Sequence, residues 1–198
     1  MAGGVPGGGL SEVSPVSRSP LAIRFAGEAD AAALLDMVRE LAEFERLAHQ
    51  VVATVGSLRA GLGQSPAAFR ALLAFWNENH AGYAVFFYNY STFAGRQGVY
   101  LEDLYVRPAY RRNGIGAALL REVARHAVDR GCGRVEWSVL GWNESAMRFY
   151  RSVGAQPMSE WNLCRLEGTS LTGFAEAGGT PQGGAQRSGP GWNQAIAP

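Results

Sequence analysis

Val99-Tyr-Leu-Glu-Asp-Leu-Tyr-Val106, Arg107-Pro-Ala-Tyr110 and Arg111-Arg-Asn-Gly-Ile-Gly116, with the residues that follow to Asp129, decide the fold. The first eight residues have the β-branched and aromatic bias of a strand. Arg107 to Tyr110 is a turn, and Arg111 to Gly116 is a glycine-bearing loop. From Ile115 to Asp129 the apolar residues Ile115, Leu119, Val123 and Ala127 recur at helical spacing. The order is strand, glycine loop, helix. Such a loop leaves backbone N–H groups free at a helix N-terminus, where the dipole and the unpaired donors together suit an anion. Gly114 and Gly116 carry no Cβ, so the backbone can come close to a bulky diphosphate. Gly131, just past the helix, reads as its C-cap.

On either side, the pattern extends to a whole domain. Leu21 to Phe25 alternates as a strand. Asp30 is placed to N-cap a helix to about Leu47 with Leu34, Leu35, Val38 and Leu41 on its apolar face. Its last turn carries Glu43, Phe44 and Glu45; acids there oppose the dipole, so they are either a solvated face or a site for a cation. Thr54 to Leu62 is a short second helix, N-capped by Thr54 and stopped by Gly63. Phe69 to Trp76 and Gly82 to Tyr90 form a hairpin around Asn77–His80, and the strand from Val99 completes an antiparallel meander. Arg134 to Leu140 is a further strand. The intervening helix makes a β-α-β unit whose right-handed crossover sets the two strands parallel. A helix from Glu144 to Val153, closed by Gly154, and a last strand over Trp161–Leu166 follow.

With 198 residues, 47% of them hydrophobic, and a net charge of +1, the chain holds one packed domain with excess length and no polyanion-binding surface. Residues 1–20 and 169–198 are rich in Gly, Ser and Pro and are expected to be structureless, leaving the domain at 21–168; Trp192 in the second tail is the odd residue. Cys132 and Cys164 fit buried, reduced thiols of a cytosolic protein better than a disulfide. No apolar run nears the ~20 residues of a membrane span, and no secretory signal is expected. All 18 basic residues other than histidine are arginine. Without lysine there is no Schiff base, no PLP anchor and no G-x-x-x-x-G-K phosphate loop. The glycine order also rules out a G-x-G-x-x-G fingerprint. His49, His80 and His126 form no cluster and read as structural, so no metal site is implied.

Arg111 to Gly116, set between Glu102-Asp-Leu-Tyr-Val106 and a helix, resembles the acetyl-CoA loop Q/R-x-x-G-x-G/A of the GCN5-related N-acetyltransferase (GNAT) superfamily. Leu41-Ala-Glu-Phe-Glu45, Tyr100 to Val106, Tyr110 to Gly116, Trp142-Asn143 and Tyr150 resemble its spermidine/spermine (diamine) branch, which includes enzymes acting on thialysine. The resemblance covers about Ile23 to Leu166. It implies an α/β fold: a central mixed, mostly antiparallel sheet with two splayed parallel strands and flanking helices. It implies acetyl transfer from acetyl-CoA to a primary amine of a small diamine, polyamine or thialysine-like amino acid, by direct transfer in a ternary complex. It also implies a cytoplasmic homodimer with no nucleic acid, membrane or metal partner.

The same resemblance carries residue roles. Leu104, Tyr105 and Val106 would offer strand backbone to pantetheine, while Arg111, Arg112, Asn113, Gly114, Ile115, Gly116 and Ala117 would wrap the pyrophosphate. Otherwise the loop is a plain strand-to-helix turn. Asn143 would contact the cofactor, or serve as an N-cap, or both. Tyr150 is the candidate general acid for the leaving thiolate, since a phenol of pKa ~10 stays protonated at neutral pH; its structural alternative is a core tyrosine. Glu102 is the candidate catalytic amine contact. Strict alternation puts it on one face with Leu104 and sends Asp103 to the other; the bland reading is a surface pair. Phe44, Glu45, Glu102 and Asp103 would line the substrate site. Gly141 stands where many diamine-acetylating members carry an acid, which favours shorter amines or thialysine-like amino acids. Two alternatives remain: a peptide or protein N-acetyltransferase of this fold, and a CoA-binding module without turnover.

Overall fold

A computed structural model describes residues 19–177. Most of the tail expected over 1–20, all of 178–198 and Trp192 lie outside the described residues. Five strands form one sheet in the order β1 (Leu21–Phe25), β2 (Arg70–Trp76), β3 (Asn79–Ser91), β4 (Arg96–Val106) and β5 (Val135–Glu136). The first three pairings are antiparallel and β4–β5 is parallel, as the right-handed crossover requires. The helices are α1 (Ala31–Phe44), α2 (Val55–Gly63), α3 (Ile115–Asp129) and α4 (Glu144–Ser152).

The sheet is covered on both faces. Ile115, Leu119, Val123 and Ala127 of α3 bury against Leu72, Phe86, Val99 and Leu101. Leu34 and Met37 of α1 bury on the other face with Leu73, Tyr83 and Tyr105. Two buried faces explain why β2 and β3 read as near-continuous apolar runs rather than alternating ones. The hairpin turn is tighter than expected. Only Asn77 and Glu78 form it, both at positive φ, which matches the twist of the strands they join.

The strand ends differ most from expectation. β5 pairs at two positions only, Val99 with Val135 and Tyr100 with Glu136. Trp137 to Leu140 leave the sheet, although their alternation predicts a longer strand. Beyond Tyr100, β4 therefore has β3 on one side and no strand on the other. The register of β3 against β4 slips between Val85 and Phe86, which face Asp103 and Leu101, so Glu102 is the extra residue of a β-bulge.

α1 ends at Phe44. Leu47 N–H donates to the Ala42 carbonyl (2.8 Å) across Arg46, which sits at φ 63°. This is a Schellman closure with arginine where glycine is usual. Asp30 precedes α1, but its carboxylate does not bond to the helix. It accepts from Gly27 N–H (2.8 Å) and pairs with Arg24 (2.7 Å). Thr54 does cap α2 through Ser57 N–H (3.1 Å). In each of the seven ion pairs among the described residues the cation is an arginine.

Residues up to Gly154 form one unit and those from Ala155 another. In the second unit no strand forms over Trp161–Leu166. The alternation is there, but among the described residues the segment has no strand to pair with. A helix, α5 (Gly168–Glu176), lies in a stretch whose composition suggests a structureless tail. Cys164 is exposed and Cys132 half-buried, so neither is the buried thiol expected, though both are free.

Gly82 fixes the β3–β4 spacing, because a methyl group there would run into the Tyr105 carbonyl oxygen. Gly82→Ala should lower the unfolding free energy by about 1–3 kcal/mol in urea titration, with the slope unchanged.

Candidate active site

The glycine loop sits where β4 loses its second neighbour. Arg111 N–H donates to the Pro108 carbonyl (3.3 Å) and Ala118 N–H to the Gly114 carbonyl (2.9 Å). Among the described residues, none of the six amides between them, Arg112 to Ala117, donates to a backbone carbonyl outside a helix or to a side chain. Gly114 is at φ 74° and opens α3; Arg112 holds φ 65°, a left-handed conformation uncommon for a side-chain-bearing residue. The Asn113 side chain spans the loop, donating to the Tyr110 carbonyl (3.1 Å). The result is a run of open donors at the N-terminus of a 15-residue helix. That run fits a diphosphate.

Arg111 points elsewhere. Its Nε donates to the Val106 carbonyl (3.0 Å), and its guanidinium lies 5.0 Å over the Phe44 ring. Phe44 in turn packs 5.8 Å from Trp142. Of the strand backbone expected to face the cofactor, the Val106 carbonyl is thus already engaged by a side chain. Tyr105 lies in the β3–β4 ladder opposite Tyr83, and Leu104 opposite Ala84.

The bulge decides which side chains meet. Before it, Val99 and Leu101 face α3; after it, Leu104 and Val106 do so. Asp103 and Tyr105 are turned toward the α1 face, where the Tyr83 hydroxyl donates to Asp103 Oδ2 (3.2 Å). Asp103 and Leu104 are on opposite faces as expected, but strict alternation along the whole strand is broken. Glu102 is exposed.

Three carboxylates gather here. Burial, then the charge on Glu102 and that on Glu45, push the Asp103 carboxyl up to about 6, against the opposing hydrogen bond from Tyr83. Burial raises Glu45, which is half-buried at the end of α1. Glu45 is thus not on a fully solvated face, whereas Glu43 is exposed. Tyr150 of α4 packs on Trp137 (4.8 Å) and Phe149 (5.2 Å). Burial, followed by the Glu45 charge, pushes its phenol up to about 12. Glu45 therefore acts on Asp103, Tyr83 and Tyr150 alike. Asn143 caps α4, its side chain accepting from Ala146 N–H (3.1 Å).

Sequence reasoning misses two contributors. Tyr83 is one aromatic among many in β3, and only the slipped register brings it to Asp103. Glu40 and Arg107 pair through Arg107 Nη2 (2.7 Å), with the Tyr105 hydroxyl also donating to Glu40 (3.3 Å), which fixes α1 against the end of β4. His126 rests among Phe25, Phe86 and Tyr88, and His80 on Phe75.

The folded state holds the Asp103 proton more tightly than an unfolded chain does. Ionising Asp103 therefore costs stability as pH rises from about 4 to about 6. Asp103→Asn should be more stable than the parent by about 1–2 kcal/mol at pH 7.5, a range reduced for the partial exposure of the group. The gain should vanish below pH ~4, as read by denaturant unfolding at both pH values.

The model of the Acetyltransferase (GNAT) family matches residues 34–155. Thialysine N-epsilon-acetyltransferase of Bos taurus is 39% identical over 77% of this chain and 96% of its own length. L-ornithine N5-acetyltransferase NATA1 of Arabidopsis thaliana is 34% identical over 82% and 91%. Among solved structures, the Vibrio integron cassette protein VCH_CASS6 superposes with a TM-score of 0.67 at 23% identity, over 79% of this chain and 98% of that one. This last likeness speaks for the fold alone. The family match spans the free amides, the bulge, the carboxylates and Tyr150 together, and the chain belongs to the GNAT acetyltransferase family.

Proposed function

We propose that this acyltransferase moves an acetyl group from acetyl-CoA to a primary amine of a small diamine, polyamine or thialysine-like amino acid, in a ternary complex. The observation that carries this reading is the run of six free amides beside the unpaired edge of β4, with three carboxylates close by. Family members use acetyl-CoA as cosubstrate, and it supplies the activated acyl group as a thioester. Arg112, Asn113, Gly114, Ile115, Gly116 and Ala117 bind the diphosphate through their N–H groups, and Leu104, Tyr105 and Val106 orient the arm along the strand. Arg111 closes the other wall with Phe44 and Trp142, and Asn143 fixes the start of α4.

Glu45, Glu102 and Asp103 hold the substrate ammonium by charge. A carboxylate of this set passes the ammonium proton toward solvent before attack, since only the free amine is nucleophilic. Tyr150 donates its Oη proton to the departing sulfur. With its phenol pushed up to about 12, Tyr150 stays protonated throughout the neutral pH range. Phe44 lines the substrate side with its half-exposed ring.

The curated relatives favour amino-acid amines. Their names give thialysine and ornithine as substrates, while spermidine/spermine N(1)-acetyltransferase-like protein 1 of Homo sapiens is 31% identical. Gly141, where an acid would assist a polycation, has open space around it. The same reading includes a cytoplasmic location, which the free cysteines support. It includes a homodimer, supported by the exposed Trp161, Leu163 and Leu166 of the second unit. It assigns no role to a metal, a membrane or nucleic acid.

Mixed with acetyl-CoA, the protein should release free thiol with thialysine, ornithine or short diamines. Silence across amines overturns the reading, and turnover of peptides alone moves the substrate to a polypeptide. Tyr150→Phe should lose about 100-fold or more in kcat while binding CoA as before in calorimetry. Gly141→Asp should improve kcat/KM for spermidine relative to ornithine, by about tenfold for one added charge contact.

A further inference from the structure

Tyr83 lies on β3 with no exposed surface, packed among Leu34, Met37, Leu73 and Tyr105. A phenylalanine would fill the same space without a hydroxyl to desolvate. A buried phenol is costly unless its hydroxyl finds a partner. Among the described residues the hydroxyl has one partner, Asp103 Oδ2 at 3.2 Å. The other oxygen, Oδ1, takes no hydrogen bond from a described residue. It is not among the fully enclosed atoms left without a partner, of which Asn89 Oδ1 is the single case among the described residues. Asp103 is only partly buried. One oxygen is pinned from within the core, and the other is left without a described partner.

We infer that Tyr83 is a positioning residue for amine recognition: its hydroxyl holds Asp103 by Oδ2, so that Oδ1 is aimed at the ammonium of the substrate. The inference rests on the amine-acetyltransferase reading and deepens it, by naming what orients the carboxylate. The groups facing Asp103 are Glu102 on its own strand, Glu45 at the end of α1 and Tyr83 on β3. Tyr105 and Tyr150 stand next in line through their contacts with Tyr83 and Glu45. Both carboxylates oppose ionisation of Asp103, as does burial; the Tyr83 hydroxyl is the contact that favours it. Without that donor, the oxygen facing the ammonium would carry a proton nearer neutrality, and the cleft would lose charge at the pH where it must attract a cation.

Tyr83→Phe keeps the ring and removes only the donor. In kcat/KM against pH for the best amine, the parent should show an acid limb near pH 6. The variant's limb should move up by about one pH unit, the scale of one hydrogen bond to a charged group. Activity should fall about threefold at pH 6.5 and about tenfold near pH 5, and return to the parent's above pH ~8.5, with KM for acetyl-CoA and the thermal midpoint at pH 8.5 unchanged. In the Asp103→Asn background, Tyr83→Phe should add nothing. A variant limb that coincides with the parent's, or an equal loss at every pH, overturns the inference. Titration of the Asp103 carboxyl by 13C NMR, in parent and Tyr83→Phe, is an arm that needs no turnover. If no amine is acetylated, the proposed function fails on its own. If amines are acetylated and the carboxyl titrates identically in both proteins, the positioning role fails while the function stands.

Discussion

β4 is paired by β3 along its length but by β5 only at Val99 and Tyr100. A central strand with one bare edge is a standing cost, because its polar backbone groups want partners. On β4 that cost falls directly before the loop whose amides are also unpaired. Two sets of unpaired groups thus lie on consecutive stretches, and both are taken up in the proposed function. The buried faces of the sheet keep this opening rigid. α3 packs on one face through Ile115, Leu119, Val123 and Ala127, and α1 on the other through Leu34 and Met37. The unpaired edge can persist because both faces of the sheet around it are packed.

The bulge at Glu102 has a comparable role for the substrate side. One extra residue changes which face the following side chains address. It turns Asp103 toward Tyr83 and the end of α1, away from α3. The Glu40–Arg107 pair fixes α1 to the same strand end, so Glu45 and Asp103 belong to one rigid frame. Gathering acids in a half-buried place raises their proton affinity and lowers stability at neutral pH, a trade often found where a site must bind a cation.

The fold was legible because its signals are local and periodic. The apolar stripe of α3, the glycines that follow it, the Thr54 cap and the order of strands each need only a few consecutive residues. The glycine loop at the start of α3 was readable for the same reason, since glycine order and flanking strand lie within one stretch. What escaped depends on pairing across the sheet. The length of β5 is set by where its partner diverges, and nothing in Trp137 to Leu140 records that. The Tyr83–Asp103 contact joins residues 20 apart in sequence and depends on a register slip between their strands. Trp161–Leu166 alternates like a strand yet forms none.

All the cations that brace this surface are guanidinium groups, and the 198 residues contain no ε-amine. Guanidinium stays charged at any physiological pH and is a poor nucleophile. A catalyst built to hand acyl groups to primary amines thus presents no side chain of the kind it modifies. Its own ion pairs, Arg24–Asp30 and Arg107–Glu40 among them, are proof against slow self-acylation by the thioester it is proposed to hold.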